Sequence, residues 1–249
     1  MNNNFLFPVS KQSPVKPNSK PPKKIIYRTK IRHPSKRMRV ACIMFYDDGC
    51  KEYGDINYEI NRRYCQKYNI ALIKSSTRKY QDGRHPTWER FPLLLQYLPY
   101  YEYVIWIDAD AFFYLSKNIH DLIGEHRDKE FIFSDDVSYW EGNQINAGFF
   151  ITKNTPNSLH IVNTLANDKD LYQTHEHGWK DQGAINELYQ KNTNELQSRS
   201  VCIPFRQLQD FCYDDAEPCY VCHLAGQASE LRIQTAQTYL DKITGPGGH

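Results

Sequence analysis

The stretch Tyr100–Tyr114, "YYEYVIWIDADAFFY", decides how this chain is read. Val104–Ile107 is an unbroken apolar run, the pattern of a strand covered on both faces. It runs straight into two aspartates, Asp108 and Asp110, with Ala109 between them. Alternation along a strand would turn both carboxylates to one side. Two carboxylates so close repel, more strongly as water is excluded, and a divalent cation relieves the repulsion. In open α/β sheets ligands collect at the carboxyl ends of the strands. The pair is therefore expected to ligate hard Mg²⁺ or Mn²⁺ beside a phosphate-bearing substrate. The competing expectation is two turn aspartates that accept from backbone amides.

Outward from this run, strand and helix patterns alternate. "RVACIMFYD" and "IALIKS" read as buried strands on either side of a helix over "YGDINYEINRRYCQKYN", with Ile56, Ile60, Tyr64 and Tyr68 at helical spacing. "TWERFPLLLQYLP" gives a second helix before the aspartate-bearing strand. "EFIFSDD" and "INAGFFITKN" follow as strands, then helices over "TPNSLHIVNTLAN" and "WKDQGAINELYQK". Thr155 is placed to cap the first of these, and Pro156 suits its first turn. "VCIPFRQLQDFCY" and "YVCHLAG" suggest short strands, and "SELRIQTAQTYLDKI" a closing helix. Apolar strands alternating with helices predict an α/β fold, a mostly parallel central sheet flanked by helices in a single domain.

Composition sets the boundaries. Residues 1–39 carry 11 of the 31 Lys and Arg and no acidic residue, which leaves 20 basic against 29 acidic side chains beyond them. This divides the chain into a basic, Pro-rich arm, 1–36, and a globular body, 37–249. An acidic body argues against a nucleic-acid partner. No run approaches the ~20 apolar residues of a membrane span, and Pro8 interrupts the short "FLFPV". Seven Cys in 249 residues is no disulfide scaffold, so mostly reduced thiols and a cytoplasmic setting, in a cell or a virus-infected host, are expected. The cluster Cys212, Cys219, Cys222 and His223 leaves zinc, a disulfide and free thiols all open. A Gly-rich phosphate loop and a nucleophile elbow are both missing from the sequence.

Four ordered blocks carry a resemblance. "WERFPLLLQYLPYYEYVIWIDADAFF", "INAGFFITKN", "HGWKDQGAI" and "CHLAG" are similar to the blocks of GT-A nucleotide-sugar glycosyltransferases, and most closely resemble the galactosyl/mannosyl/xylosyltransferase family, glycosyltransferase family 34. The resemblance implies a GT-A-like, Rossmann-like fold. It also implies transfer of a hexose or pentose from a UDP- or GDP-linked sugar to a glycan, glycoprotein or other hydroxyl acceptor, with retention and with Mn²⁺ or Mg²⁺. It implies Asp108, Asp110 and His223 as metal ligands and Asp181 and Gln182 beside the anomeric carbon. Tyr46, Arg90, Asp108, Ala109, Asn146, Gly148 and Gly226 would bind the donor. Asp135, Asp136 and Trp179 would border the acceptor or sugar pocket. Two other functions fit the aspartates: a metal-dependent nucleotidyltransferase or other phosphoryl-transfer enzyme, and a non-catalytic carbohydrate-binding protein on the same fold.

Overall fold

A computed structural model describes residues 38–136, 144–212 and 219–245. The expected basic arm, with its "IIYRTKI" segment, lies outside the described residues. The elements run β1 (Val40–Phe45), α1 (Lys51–Tyr68), β2 (Ala71–Ser75), α2 (Arg90–Tyr97), β3 (Tyr103–Ile107), β4 (Ala111–Phe113), α3 (Ile119–Glu125) and β5 (Phe131–Asp135). Then come β6 (Ile145–Lys153), α4 (Pro156–Asn167), α5 (Lys169–His175), α6 (Lys180–Gln190), β7 (Ser200–Ile203), β8 (Gln209–Asp210), β9 (Val221–His223) and α7 (Ser229–Thr244).

Six strands form the central sheet in the order β2-β1-β3-β6-β5-β7. β6 pairs antiparallel with both β3 and β5, while the other pairings are parallel. The sheet is thus mixed but mostly parallel, as expected. Alternate residues feed two cores. Ile43, Val104, Trp106, Phe133 and Phe150 meet residues of α2, α4 and α6 on one face. Cys42, Met44, Ile105, Ile107 and Phe149 meet residues of α1 and α3 on the other. Helices therefore cover both faces, which is why strands such as β1 and β3 are apolar throughout.

Local signals end the elements where they should. Asn69, left-handed at φ 58°, closes α1, its N–H reaching the Cys65 and Gln66 carbonyls. Thr155 accepts from the Ser158 N–H at 3.0 Å and opens α4, with Pro156 in its first turn. Asp108 and Asp110 do not continue β3: they stand on the tight turn past it, where the Ala111 N–H donates to the Asp108 carbonyl at 3.1 Å. That turn leads into a second, three-stranded sheet, β4-β9-β8. Its antiparallel register sets Ala111 opposite His223, which brings the histidine from the far end of the chain beside the aspartates. Among the described residues no helix is long and apolar enough to cross a membrane.

Candidate active site

Two buried asparagines of α1 hold the aspartate turn. Asn57 Nδ2 donates to the Ala109 carbonyl at 2.7 Å, and Asn61 Nδ2 to that of Ala111 at 3.0 Å. Asn61 Oδ1 accepts from the Phe113 N–H at 3.0 Å, so one side chain serves two backbone groups of the edge strand β4. Leu224 N–H donates to the Asp110 carbonyl at 3.0 Å and locks β9 to the same turn.

One ligand atom each of Asp108, Asp110 and His223 lies within 4.8 Å of the other two. His223 Nε2 is 3.4 Å from Asp110 Oδ1, and its Nδ1 is 3.2 Å from Gln209 Oε1. The imidazole is buried and lies where a side chain on residue 148 would otherwise be. A Cβ at Gly148 would fall 2.0 Å from His223 Cε1 and 2.5 Å from Nε2. Glycine at 148 therefore makes room for the histidine, a role different from the expected approach to a donor. The Asp108 side chain is 27% exposed and that of Asp110 14%, so the cluster keeps one open side.

Arginines balance both carboxylates. Arg90 Nη2 is 3.2 Å from Asp108 Oδ1, which also accepts from Trp106 Nε1 at 2.7 Å. Arg232, in the first turn of α7, is 2.9 Å from Asp110 Oδ2. Burial pushes the Asp108 carboxyl above the usual range, against the pull of Arg90. Burial also opposes charge on Asp110, but His223 and Arg232 outweigh it and hold that carboxyl below the usual range. Burial disfavours the His223 imidazolium, yet Asp110 and Asp108 beside it raise its pKa overall.

Arg90 corrects an expectation. Rather than facing a phosphate it is buried beneath the site, donating through Nε to the Thr87 carbonyl at 3.0 Å and through Nη1 to that of Ala147. Asp181 is corrected with it. Its Oδ2 sits 2.9 Å from Arg90 Nε, both side chains being under 5% exposed, so it is the buried counter-charge of Arg90 and does not line the cavity. Tyr46 is also buried. Its hydroxyl donates to Asp55 at 2.7 Å, and Lys74 lies 4.3 Å from its ring centroid. The Tyr46 ring packs so closely on Gly54 that a Cβ there would come within 2.8 Å.

Beside the cluster opens a cavity of about 470 Å³, with His223 in its wall. Asp136, Asn146, Trp179, Gln182 and Gly226 line it. Gly226 has φ +71°, a conformation that other residues rarely adopt. Asn146 and Gln182 lie where the β5–β6 register shifts between Phe133 and Ser134, which frees part of the β6 backbone. Side chains take up those groups: Gln182 Oε1 accepts from the Ala147 N–H at 3.0 Å, and Asn146 Oδ1 from the Gly148 N–H at 3.0 Å. Gln182 Nε2 then donates to Asp136 Oδ2 at 2.9 Å. Asp135 is absent from this lining, and the Cys202 thiol approaches it at 3.9 Å.

Sequence reasoning missed Phe205, Phe211 and Gln209 in the wall, and Arg232 at Asp110. The signal for Asn57 and Asn61 was present, as two amides four apart on the buried face of α1. The cysteine alternatives also resolve. Cys212 and Cys222 are paired, with Cα atoms 5.3 Å apart, and the other five Cys are free. His223 turns to Asp110 and Gln209, so the four-residue zinc site does not assemble.

The donor set suits a divalent cation: two carboxylate oxygens and one imidazole nitrogen, converging and partly open. Several solved structures share the fold. A glycosyltransferase involved in the glycosylation of the major capsid of PBCV-1 is 14% identical, with a TM-score of 0.62 over 80% of this chain and 99% of that one. The galactosyltransferase LgtC, in complex with donor and acceptor sugar analogs, is 13% identical, with a TM-score of 0.56 over 80% and 95%. The glycosyltransferase GlyE of Streptococcus pneumoniae TIGR4 is 13% identical, with a TM-score of 0.53 over 82% of this chain and 62% of that one. A search of curated proteins finds no sequence match. Residues 57–230, well over half the chain and spanning Asp108, Asp110, Gln182 and His223, match the model of the nucleotide-diphospho-sugar transferases, and the chain belongs to that family.

Proposed function

We propose that this glycosyltransferase moves a hexosyl or pentosyl group from a UDP- or GDP-linked sugar to a hydroxyl of a glycan, glycoprotein or other acceptor. The reaction depends on a divalent cation, Mn²⁺ ahead of Mg²⁺ because one ligand is an imidazole, and retains the anomeric configuration. The observation that carries the reading is the position of His223, at once part of the carboxylate cluster and part of the cavity wall. A site for diphosphate charge thus adjoins a pocket for a sugar.

Asp110 and His223 would hold the ion, with Asp108 at its edge, and a cation bound there supplies the Lewis acidity that neutralises charge on a leaving diphosphate. Asp108 is kept in place by Arg90 and Trp106, and Asp181 balances Arg90 from behind. Asp181 therefore acts as a positioning residue. Gln182, which lines the cavity, would serve the reacting carbon. Its amide is fixed at both ends, so its dipole and the Asp136 carboxylate are set before substrate arrives. LgtC has been solved as a Gln-to-Glu active-site mutant, which agrees with an amide of this kind serving the reaction. In a same-face mechanism the acceptor proton passes to the leaving phosphate oxygen, and no base is needed on the far side of the sugar.

Thermal-shift measurements with UDP- and GDP-sugars, with and without Mn²⁺, test the reading. One donor should stabilise the chain only when metal is present, by several degrees at about 100 times its Kd. A chain that no nucleotide stabilises in Mn²⁺ would contradict it.

A further inference from the structure

The two carboxylate oxygens of Asp110 have different partners. Oδ1 faces His223 Nε2 inside the cluster, whereas Oδ2 is ion-paired at 2.9 Å with Arg232 Nη2. Arg232 is held from several sides. Its Nε donates to the Leu224 carbonyl at 3.1 Å, its Nη1 is 3.4 Å from the Tyr53 hydroxyl, and its guanidinium carbon is 5.0 Å from the centre of the Tyr53 ring. The side chain is 18% exposed, so its charge is only partly screened. Arg90 does the same for Asp108 on the opposite side. Arg90 is shared between Asp108 and Asp181, whereas Arg232 is paired within the cluster with Asp110, so Asp110 has a counter-charge in place before any ion enters.

We propose that Arg232 is the resident counter-cation of this cluster, holding Asp110 in place without metal and limiting how tightly the site takes a divalent ion. The inference rests on the reading of Asp108, Asp110 and His223 as a metal site. An entering ion must share Asp110 with a fixed positive charge a few ångströms away. At an effective dielectric of about 20, that repulsion is doubled by the ion's second charge, and it outweighs what an outer-shell hydrogen bond to the carboxylate returns. Arg232 therefore weakens metal binding to the free chain, an arrangement that favours release of the ion once the donor's phosphates have gone.

The test is Mn²⁺ binding to the full chain without nucleotide, at fixed pH and ionic strength, by calorimetry and by electron paramagnetic resonance of the free ion. Arg232→Gln should bind Mn²⁺ at least tenfold more tightly than wild type, about 1.4 kcal/mol, whereas Arg232→Lys should stay within about threefold. A purely structural clamp on α7 would change the melting temperature and leave Mn²⁺ affinity alone. Equal or weaker binding by Arg232→Gln overturns the inference. So does unchanged Mn²⁺ affinity with weakened UDP binding, which would make Arg232 a phosphate ligand. Absence of Mn²⁺ binding to both wild type and Arg232→Gln overturns the metal reading and this inference together. A second measurement does not depend on the Gln variant folding: the Arg232 Nε–H resonance, identified by its loss in Arg232→Lys, should move on titration with Mg²⁺, and a stationary resonance in a Mg²⁺-bound chain overturns the inference.

Discussion

Replacing Gly148 by Ala is a sharp test of how the site is assembled. The added methyl would fall 2.0 Å from His223 Cε1, 2.5 Å from Nε2 and 2.8 Å from Nδ1, far inside contact distance. The backbone does not forbid the change, since Gly148 is not among the glycines with positive φ. Its consequences must come from the imidazole. His223 is 4% exposed and faces Asp110 and Gln209, so it can yield only by leaving those partners. Overpacking of this kind costs about 1–3 kcal/mol, and the lost hydrogen bond to Gln209 adds about 1 kcal/mol. A total of roughly 2–4 kcal/mol lowers the melting temperature of a domain this size by about 5–15 °C. The assay is thermal and urea unfolding in chelator of four proteins: wild type, Gly148→Ala, His223→Ala and the double variant. With the imidazole removed the clash disappears, so Gly148→Ala should be within about 0.5 kcal/mol of neutral in the His223→Ala background. An equal loss in both backgrounds, or no loss in wild type, would refute the claim that glycine at 148 seats the histidine.

Other outcomes follow from the same contacts. Asp181→Ala should destabilise the chain by about 3 kcal/mol in urea unfolding, because it removes one partner of a buried pair with Arg90; a loss under 1 kcal/mol would show that Asp108 suffices to balance Arg90. Trp179→Ala, which removes an aromatic face from the cavity wall, should raise acceptor KM about tenfold while metal-dependent donor hydrolysis stays near wild type; steady-state kinetics with each substrate varied separates the two. Mn²⁺ affinity should fall as pH drops, with uptake of the ion releasing protons, since His223 is held above its ordinary 6.5 and must be neutral to ligate; calorimetry in buffers of different ionisation heat reads the protons. In chelator the sign for folding is opposite. A histidine raised in the folded state contributes stability that is fully present below about 6.5 and is lost as pH rises through its folded value.

The parts of the fold that were legible in the sequence are those with strong periodicity. β1, β3 and α1 announce themselves because each is long or wholly apolar on a buried face. The reversal of β6 was not legible: "INAGFFITK" is as apolar as a parallel strand, and its direction depends on which neighbours it meets. β4 and β9 have three residues each, too few for a period to show. At the site, "DAD" and "HLAG" drew attention to residues that do converge, since β4 pairs with β9. The motifs that carry Arg90 and Asp181 point to the donor and to the anomeric carbon, respectively. The mutual ion pair turns both residues inward, and a pairing across 91 positions leaves no local trace. Arg232 lay in a helix that reads as ordinary and amphipathic, and only the packing of α7 against α1 carries it to Asp110.

The central claim is metal-assisted departure of a nucleoside diphosphate from a sugar. Its most direct measurement is product analysis of the wild-type chain and Asp110→Ala, each incubated with UDP- and GDP-sugars in Mn²⁺ and in chelator. The account predicts nucleoside diphosphate and free or transferred sugar from one donor, abolished by chelator and reduced at least a hundredfold in Asp110→Ala. Release of pyrophosphate or a sugar phosphate, or turnover indifferent to both chelator and Asp110→Ala, would contradict it.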